Sequence, residues 1–309
     1  MKIIFLGASN FSVPFLDCLQ NSGHQVRLVI TNPDKKKGRG KKKLANPVKK
    51  KALDLGLEII ETSSMDGQVG KIKGLDFDLT LVVSFGKILP EEFLKIKPGK
   101  NINVHPSLLP KYRGPTPITS VLVNGEEVSG VTIMEVTEKL DAGPIYTQAK
   151  FRVGRDDNKD RLEEKIICIG CPLLLSTMDM LREEKIKPFP QKGRATYTKT
   201  VSKDDLKINW EEDALKIYNK IRAFSYKPGC FTFLGKKRIK ILEAGMAPVK
   251  TDRGLGGTVL EAEKSKGILV GCGDGKALSI KALQPAGKNM IGYKDFLNGY
   301  PLEAGDRFG

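Results

Sequence analysis

The sequence predicts an α/β protein of two domains: an N-terminal domain built on a doubly wound parallel sheet, and a smaller C-terminal β-barrel. Two observations carry this prediction. Up to residue 184, short apolar runs alternate with helical stretches, as in successive βαβ units. After residue 207, one helix is followed by five short apolar runs separated by glycine or charged turns, a spacing typical of a small barrel. At 309 residues the chain is long enough for both domains.

A first βα unit opens the N-terminal domain. The apolar run 2–6 predicts a strand, the turn 7–11 leads into a helix over 13–19, and residues 25–31 predict the second strand. The turn lacks the GxGxxG spacing of a dinucleotide site, so we expect a Rossmann-like fold without that motif. The remaining elements predicted here are helices over 48–55, 90–96, 117–123 and 157–184, and strands over 58–61, 78–84, 102–105, 130–136 and 145–153.

The C-terminal domain follows a stretch, 185–201, whose Lys, Pro, Gln, Gly and Thr content predicts a linker. The predicted domains are an N-terminal domain over 1–187 with a basic insertion over 31–47, a linker over 188–206, and an OB-like barrel over 207–309. The barrel elements predicted are a helix over 214–224 and strands over 230–234, 239–243, 256–260, 267–270 and 277–282.

One strand carries a candidate reaction site. Asn103 and His105 lie two residues apart, so their side chains share a face of the strand. Pro106 then ends the strand because it has no N–H to donate, and Leu108 and Leu109 supply an apolar wall in the loop that follows. The alternative is a structural hydrogen-bonding pair. The chain has only two histidines, which favours a specific role for this one.

The net charge of +16 is concentrated in two segments. Residues 31–52 hold ten basic residues and one acidic residue, and residues 207–309 hold 18 basic and 11 acidic residues. The rest of the chain, with the candidate site, sums to zero. This distribution predicts a polyanionic partner bound at two places. Within the first segment, Arg39 lies between two glycines and six lysines, a pattern that suits phosphate contact as well as a solvated loop or a nuclear-targeting signal.

The motif around the candidate site resembles the signature of the folate-dependent formyltransferases. It reads Asn103-x-His105-x-Ser107-Leu108-Leu109-Pro110, then Arg113-Gly114, Pro117-Ile118 and Leu140-Asp141-Ala142-Gly143. The resemblance implies 10-formyltetrahydrofolate as formyl donor, no metal, and Asn103, His105 and Asp141 as catalytic residues. It also implies that the folate is held by Phe85, Gly86, Ile88, Leu89, Pro90, Ser107, Leu108, Leu109 and Pro110.

Three further features are similar to the methionyl-tRNA formyltransferases within that family: the basic insertion after the second strand, the C-terminal domain, and its segments 221–224, 283–288 and 295–299. Ser225-Tyr226-Lys227-Pro228 departs from the family pattern, which puts local packing in doubt. The resemblance implies formyl transfer to the α-amine of methionyl initiator tRNA for translation initiation. The tRNA contacts that it implies are Lys35, Lys36, Lys37, Arg39, Lys41, Lys42 and Lys43.

Four alternatives stay open at this point. A glycinamide ribonucleotide formyltransferase would share the catalytic residues but would be shorter and lack the second domain. A nucleotide-sugar formyltransferase or a formyltetrahydrofolate hydrolase would share them without needing the basic segments. A non-catalytic RNA-binding module would leave Asn103, His105 and Asp141 unexplained.

The surroundings expected for this protein follow from composition. No run approaches the roughly 20 apolar residues of a membrane helix. The start of the chain enters a strand without a signal-peptide pattern. The five cysteines, an odd number without paired spacing, suit a reducing compartment. We therefore expect a cytoplasmic monomer that binds tRNA and neither membrane nor DNA.

Overall fold

A computed structural model describes residues 1–37, 42–250 and 255–309, with the backbone alone for residues 35–37 and 42–44. The chain separates into two compact units. Unit 1 comprises Met1–Pro117, Val128–Arg152 and Glu163–Thr198. Unit 2 comprises Ile118–Glu127, Val153–Leu162 and Lys199–Gly309. No helix of the described ranges is both long enough and apolar enough to cross a membrane.

Unit 1 is organised on a seven-stranded sheet. The strands of this sheet are β1 (Lys2–Gly7), β2 (Gln25–Thr31), β5 (Ile59–Glu61), β6 (Leu79–Val83), β7 (Asn101–His105), β8 (Val128–Glu135) and β9 (Ile145–Arg152). A separate two-stranded hairpin is formed by β3 (Lys35–Lys37) and β4 (Lys42–Leu44). The helices are α1 (Val13–Gln20), α2 (Pro47–Asp54), α3 (Val69–Lys73), α4 (Glu91–Leu94), α5 (Pro117–Val123) and α6 (Lys159–Arg182), of which α5 and α6 extend into unit 2.

The strand order is β5-β2-β1-β6-β7-β8-β9. The first five are parallel, and β8 and β9 continue the sheet antiparallel. This confirms the predicted Rossmann-like class. Both faces of the sheet are covered, since Ile3 and Phe5 on one face of β1 and Ile4 and Leu6 on the other are all fully buried. Burial on both faces is the usual reason that parallel strands read as continuous apolar runs.

The candidate site lies where two parallel strands end. β6 and β7 are neighbours, with Val82 paired to Asn103. Their carboxyl ends therefore lie at one edge, and the loops that follow Val83 and His105 leave the sheet side by side. This edge is where open α/β sheets bind ligands.

Unit 2 contains a closed antiparallel barrel. Its elements are α7 (Ala214–Ala223), β10 (Cys230–Leu234), β11 (Lys237–Lys250), β12 (Val259–Glu263), β13 (Gly267–Gly271), β14 (Lys276–Pro285), β15 (Ile291–Gly292) and α8 (Tyr293–Gly299). The sheet runs β10-β11-β14-β13-β12. Residues 305–309 close it: Phe308 N donates to Gly257 O beside β12, and Phe233 of β10 exchanges two backbone hydrogen bonds with Gly309. Closure removes the exposed sheet edges.

Three predicted barrel strands have wrong limits. The strand predicted over 277–282 spans Lys276–Pro285. The strand predicted over 239–243 continues to Lys250, because three register shifts let β11 bend and pair with both β10 and β14. The strand predicted over 256–260 begins only at Val259, because Gly257 occupies a turn with φ +78°. A Cβ on Gly257 would lie 2.2 Å from Phe308 O, so the closure of the barrel requires glycine there.

We expect Phe308→Ala to destabilise unit 2. Phe308 is buried and stacks on Trp210 with ring centroids 6.0 Å apart. Loss of a buried phenylalanine ring costs about 3–5 kcal/mol. Trp210 is the only tryptophan, so urea unfolding followed by its fluorescence reports on this unit. Met290→Ala, at a half-exposed side chain, is the control and should change the free energy of unfolding by less than about 0.5 kcal/mol. Equal unfolding midpoints for the two variants would contradict the closure described here.

Candidate active site

His105 occupies the buried end of β7. The residue is 3% exposed, and Nε2 lies 3.0 Å from the carbonyl oxygen of Tyr112. A carbonyl can only accept a hydrogen bond, so Nε2 carries the hydrogen and donates it. In the neutral imidazole the free lone pair is therefore on Nδ1. Tyr112 has φ +63°, a strained conformation that directs its carbonyl back to the strand.

Asp141 faces that lone pair. Its Oδ2 lies 3.7 Å from His105 Nδ1 and accepts a 2.7 Å hydrogen bond from the backbone N–H of Gly114. The strand register does not predict this approach. The loop that holds Asp141 starts at Val136, whose N–H bonds Asn101 O, four residues from His105 along β7. The loop must return along the strand to bring the carboxylate to the imidazole.

Burial and the carboxylate act on His105 in opposite directions. Desolvation lowers the pKa of His105 below its ordinary value, while the negative charge of Asp141 and the hydrogen bond to Tyr112 raise it. Desolvation is the largest of these effects, so the imidazole is neutral at neutral pH. The pair therefore has a free basic nitrogen next to an anion that stabilises the imidazolium when a proton arrives.

Asn103 shares the strand face with His105 and is half-buried. Within the described ranges, its side-chain amide has no hydrogen-bond partner. Asn101, on the same strand, is different: its amide donates to the carbonyls of Leu94 and Lys97. The Asn101 amide thus binds the backbone that precedes β7, and the Asn103 amide leaves two N–H donors available to a ligand.

The loop after β6 contains residues of two kinds. Phe85 and Leu89 are buried in the core cluster of unit 1, and Pro90 caps α4. Gly86 has φ +71° with open space around it, and Ile88 is 86% exposed. The carboxyl edge of the sheet therefore exposes a large apolar side chain next to an open backbone turn.

The loop after β7 is held by its own polar contacts. Ser107 is buried, its hydroxyl donates to Lys111 O, and its carbonyl accepts from Thr132. Leu108 packs against Gly130, where a Cβ would lie 2.4 Å from the leucine side chain. Leu109 joins Met134 and Ile145 in a small apolar cluster, and the Leu109–Pro110 bond is cis. The backbone is held as well, since Leu109 N donates to the Thr132 hydroxyl and Leu109 O accepts from Gln148 Nε2. These contacts fix the shape of the loop.

The predicted nucleic-acid contacts are placed only in part. Lys35, Lys36 and Lys37 form β3, and Lys42 and Lys43 pair with them in β4, where the sequence predicted a loop. Arg39 and Lys41 lie outside the described residues.

Sequence reasoning missed a segment that holds the site. Residues 189–198, inside the stretch predicted as a linker, belong to unit 1. Arg113 N donates to Thr196 O and Thr198 N donates to Arg113 O. Tyr112 N donates to the Thr196 hydroxyl, and Gln191 donates to the carbonyl of Asp141. Gly114 has φ +111°, and a Cβ there would lie 2.8 Å from the Thr198 hydroxyl, so the segment packs directly on the Arg-Gly motif. Nothing in the composition of 189–198 indicated these contacts.

Comparison with known proteins identifies the fold and the family. Residues 1–176 match the formyl transferase family, and residues 200–301 match the formyl transferase C-terminal domain. The methionyl-tRNA formyltransferase of Thermodesulfovibrio yellowstonii is 40% identical over 98% of this chain and 97% of its own length. The chain belongs to the methionyl-tRNA formyltransferase family. The relative from Dictyoglomus thermophilum is 39% identical over the full length of both chains.

A solved structure with the same fold holds a folate. HypX from Aquifex aeolicus in complex with tetrahydrofolic acid superposes with a TM-score of 0.68 at 19% sequence identity, over all of this chain. This chain spans about half the length of HypX, 50% of that chain. At this identity the likeness establishes the fold, which agrees with the Rossmann-like sheet and antiparallel second domain of the family.

We expect Asp141→Asn to lower the pKa of His105 further. The substitution removes the negative charge that raises this pKa and leaves the desolvation that lowers it. NMR titration of the imidazole Cε1–H signals measures the shift, and the chain gives only two such signals. His24→Gln identifies the other signal, which should titrate alike in the parent and in Asp141→Asn. An unchanged or raised pKa of His105 would contradict the pairing of these two side chains.

Proposed function

We propose that this protein transfers the formyl group of 10-formyltetrahydrofolate to the α-amine of methionine on initiator tRNA. The observation that carries the proposal is the His105–Asp141 pair near Asn103, whose amide has no hydrogen-bond partner among the described residues. It is made in a chain that matches methionyl-tRNA formyltransferases over its full length. The reaction makes formylmethionyl-tRNA, with which translation starts. We further propose that the protein acts as a cytoplasmic monomer.

His105 and Asp141 handle the proton of the attacking amine. The amine must be neutral, and free α-amines have a pKa of about 7.7–8.0, so a weak base is sufficient. As the amine nitrogen bonds to the formyl carbon, Nδ1 accepts the proton and Asp141 stabilises the resulting imidazolium. The same proton then goes to N10 of the folate as the bond between N10 and the formyl carbon breaks. Nε2 stays bonded to Tyr112 O throughout, which keeps the ring in one orientation.

Asn103 stabilises the charge that develops on the formyl oxygen. A side-chain amide donates hydrogen bonds without bringing a charge that needs neutralising, and a donor held on a strand costs little reorganisation. Both N–H donors of the Asn101 side chain are used within the protein, whereas the N–H₂ of Asn103 has no acceptor among the described residues.

The donor fits the open surface at the carboxyl edge. We place the pterin against Gly86 and Ile88 and against the loop 107–110, while Phe85, Leu89 and Pro90 hold the first loop in shape. The folate contributes a formyl group that a neutral amine can attack. Among the described residues no cluster of His, Cys, Asp and Glu has the arrangement of a metal site, and the mechanism above uses none.

The tRNA is the polyanion that the charge distribution predicts. Its proposed contacts are the basic insertion, with Lys35, Lys36, Lys37, Arg39, Lys41, Lys42 and Lys43, and the basic barrel domain, placed over 207–309. A glycinamide ribonucleotide formyltransferase would lack the second domain, and a hydrolase or a sugar formyltransferase would not require these cations.

Asn103→Ala should reduce kcat by on the order of 10²-fold, the usual effect of losing one oxyanion donor. The measurement is formylation of methionyl-tRNA with saturating 10-formyltetrahydrofolate. Asn101→Ala is a matched control from the same strand: it should lower the melting temperature and leave kcat of the folded protein near the parental value. If Asn103→Ala turns over at the parental rate, Asn103 is structural and the proposed oxyanion contact is wrong.

Arg39→Ala should raise KM for methionyl-tRNA and leave KM for the folate unchanged. Arg39→Lys should restore little, because a guanidinium binds phosphate or stacks on bases with a planar geometry that an ammonium lacks. Lys71→Ala on α3 removes one exposed charge elsewhere and should have no effect at the same salt concentration. Full rescue by lysine would mean that Arg39 contributes charge alone.

A further inference from the structure

Gln191 makes four hydrogen bonds with a single side-chain amide. Nε2 donates to the carbonyls of Asp141, at 2.9 Å, and Gly143, at 2.8 Å. Oε1 accepts from Nε and Nη2 of Arg113, at 3.1 and 2.7 Å. The carbonyls can only accept and the guanidinium can only donate, so the amide has one possible orientation. Every hydrogen-bonding position of the Gln191 side chain is therefore used.

The turn that carries Asp141 depends on such bonds. Asp141 has φ +48°, a conformation that is unfavourable outside glycine and persists only where the surroundings hold it. Apolar packing of the preceding residue does not stabilise this turn, since Leu140 is 61% exposed. Gln191 binds the carbonyl of the strained residue itself and the carbonyl two positions later. The two bonds therefore hold the backbone of the turn on both sides of Ala142.

Arg113 fixes Gln191 in turn. Its guanidinium is held by Tyr197, whose hydroxyl accepts from Nη1 at 2.9 Å and whose ring lies 5.6 Å from the guanidinium carbon. Its backbone is held by Thr196 and Thr198. The next residue, Gly114, donates to the Asp141 carboxylate. Gly114 thus holds the carboxylate of Asp141 and Gln191 holds its backbone, and Arg113 joins the two segments.

We infer that Gln191 is a positioning residue for the transfer reaction: it holds the Asp141 turn so that the carboxylate stays opposite Nδ1 of His105. This inference rests on the proposed function for its kinetic consequence. Its structural content, the distance between a carboxylate and an imidazole, is independent of the substrate. Misplacement of a catalytic group by about 1 Å can cost roughly 10²-fold in rate.

Gln191→Leu tests the inference because leucine is neutral, similar in size and unable to form any of the four bonds. If the Asp141 carboxylate moves away, the pKa of His105 falls in the direction that Asp141→Asn produces, and kcat falls by roughly tenfold to a hundredfold. KM for each substrate should change by less than about threefold, since Gln191 has no proposed contact with either. NMR titration of the two histidines and steady-state kinetics give the two readouts.

A double-mutant cycle distinguishes positioning from general damage. In the Asp141→Asn background, Gln191→Leu should neither shift the pKa of His105 further nor lower kcat further, because the residue through which it acts is already lost. Additive losses would overturn the inference, and so would a parental titration and parental kcat in Gln191→Leu alone. Gln20→Leu, at the exposed end of α1, controls for the substitution itself and should match the parent in both readouts.

Gln191→Asn keeps the experiment decisive if the leucine variant does not fold. Asparagine retains the amide but is one methylene too short to reach both Arg113 and the turn, so the same two changes should appear at smaller size. Parental behaviour of folded Gln191→Asn would count against the inference. If the parent protein does not formylate methionyl-tRNA, the proposed function is wrong. The His105 titration would still decide whether Gln191 positions Asp141.

Discussion

The hydrogen bond from His105 Nε2 to the carbonyl of Tyr112 is the contact on which the site depends. It selects the tautomer with a lone pair on Nδ1, and only that tautomer leaves Nδ1 free to accept a proton beside Asp141. The bond exists because Tyr112 takes a left-handed conformation that turns its carbonyl toward the end of β7. A loop that relaxed to ordinary backbone angles would lose the acceptor and, with it, the defined orientation of the imidazole.

The balance between burial and charge at His105 follows from that orientation. A fully buried imidazole resists protonation, and an isolated one would be a poor proton acceptor. The charge of Asp141, 3.7 Å away, raises the pKa of His105 but by less than burial lowers it. The ring is therefore neutral at rest, and in the proposed reaction it accepts a proton as the amine attacks. The 2.7 Å hydrogen bond from Gly114 N holds the carboxylate in place. The site therefore needs accurate distances more than it needs unusual groups.

Those distances are maintained by segments far apart in the chain. Residues 189–198 bind the Arg-Gly motif and the Asp141 turn, and Thr132 and Gln148 bind the loop after β7. Polar contacts of this kind suit an exposed edge of a sheet, where apolar packing is available on one side only. The barrel of unit 2 is closed in a different way. Residues 305–309 form backbone hydrogen bonds at β10 and β12, and the Phe308 ring stacks on Trp210.

The sequence by itself determined the fold class, the order of most elements and the shared face of Asn103 and His105. These depend on local periodicity and on a contiguous motif, which a single chain displays directly. Three features were decided only by the tertiary structure. The Asp141 loop returns along β7, although the strand register starts it four residues away. Gln191 lies in a stretch whose composition is that of a linker, yet its amide fits between Arg113 and two carbonyls. Residues 305–309 close the barrel. Each of these features depends on hydrogen bonds between positions many residues apart. Neither the spacing nor the composition of the sequence specifies the partners of such bonds, so only the tertiary structure shows them.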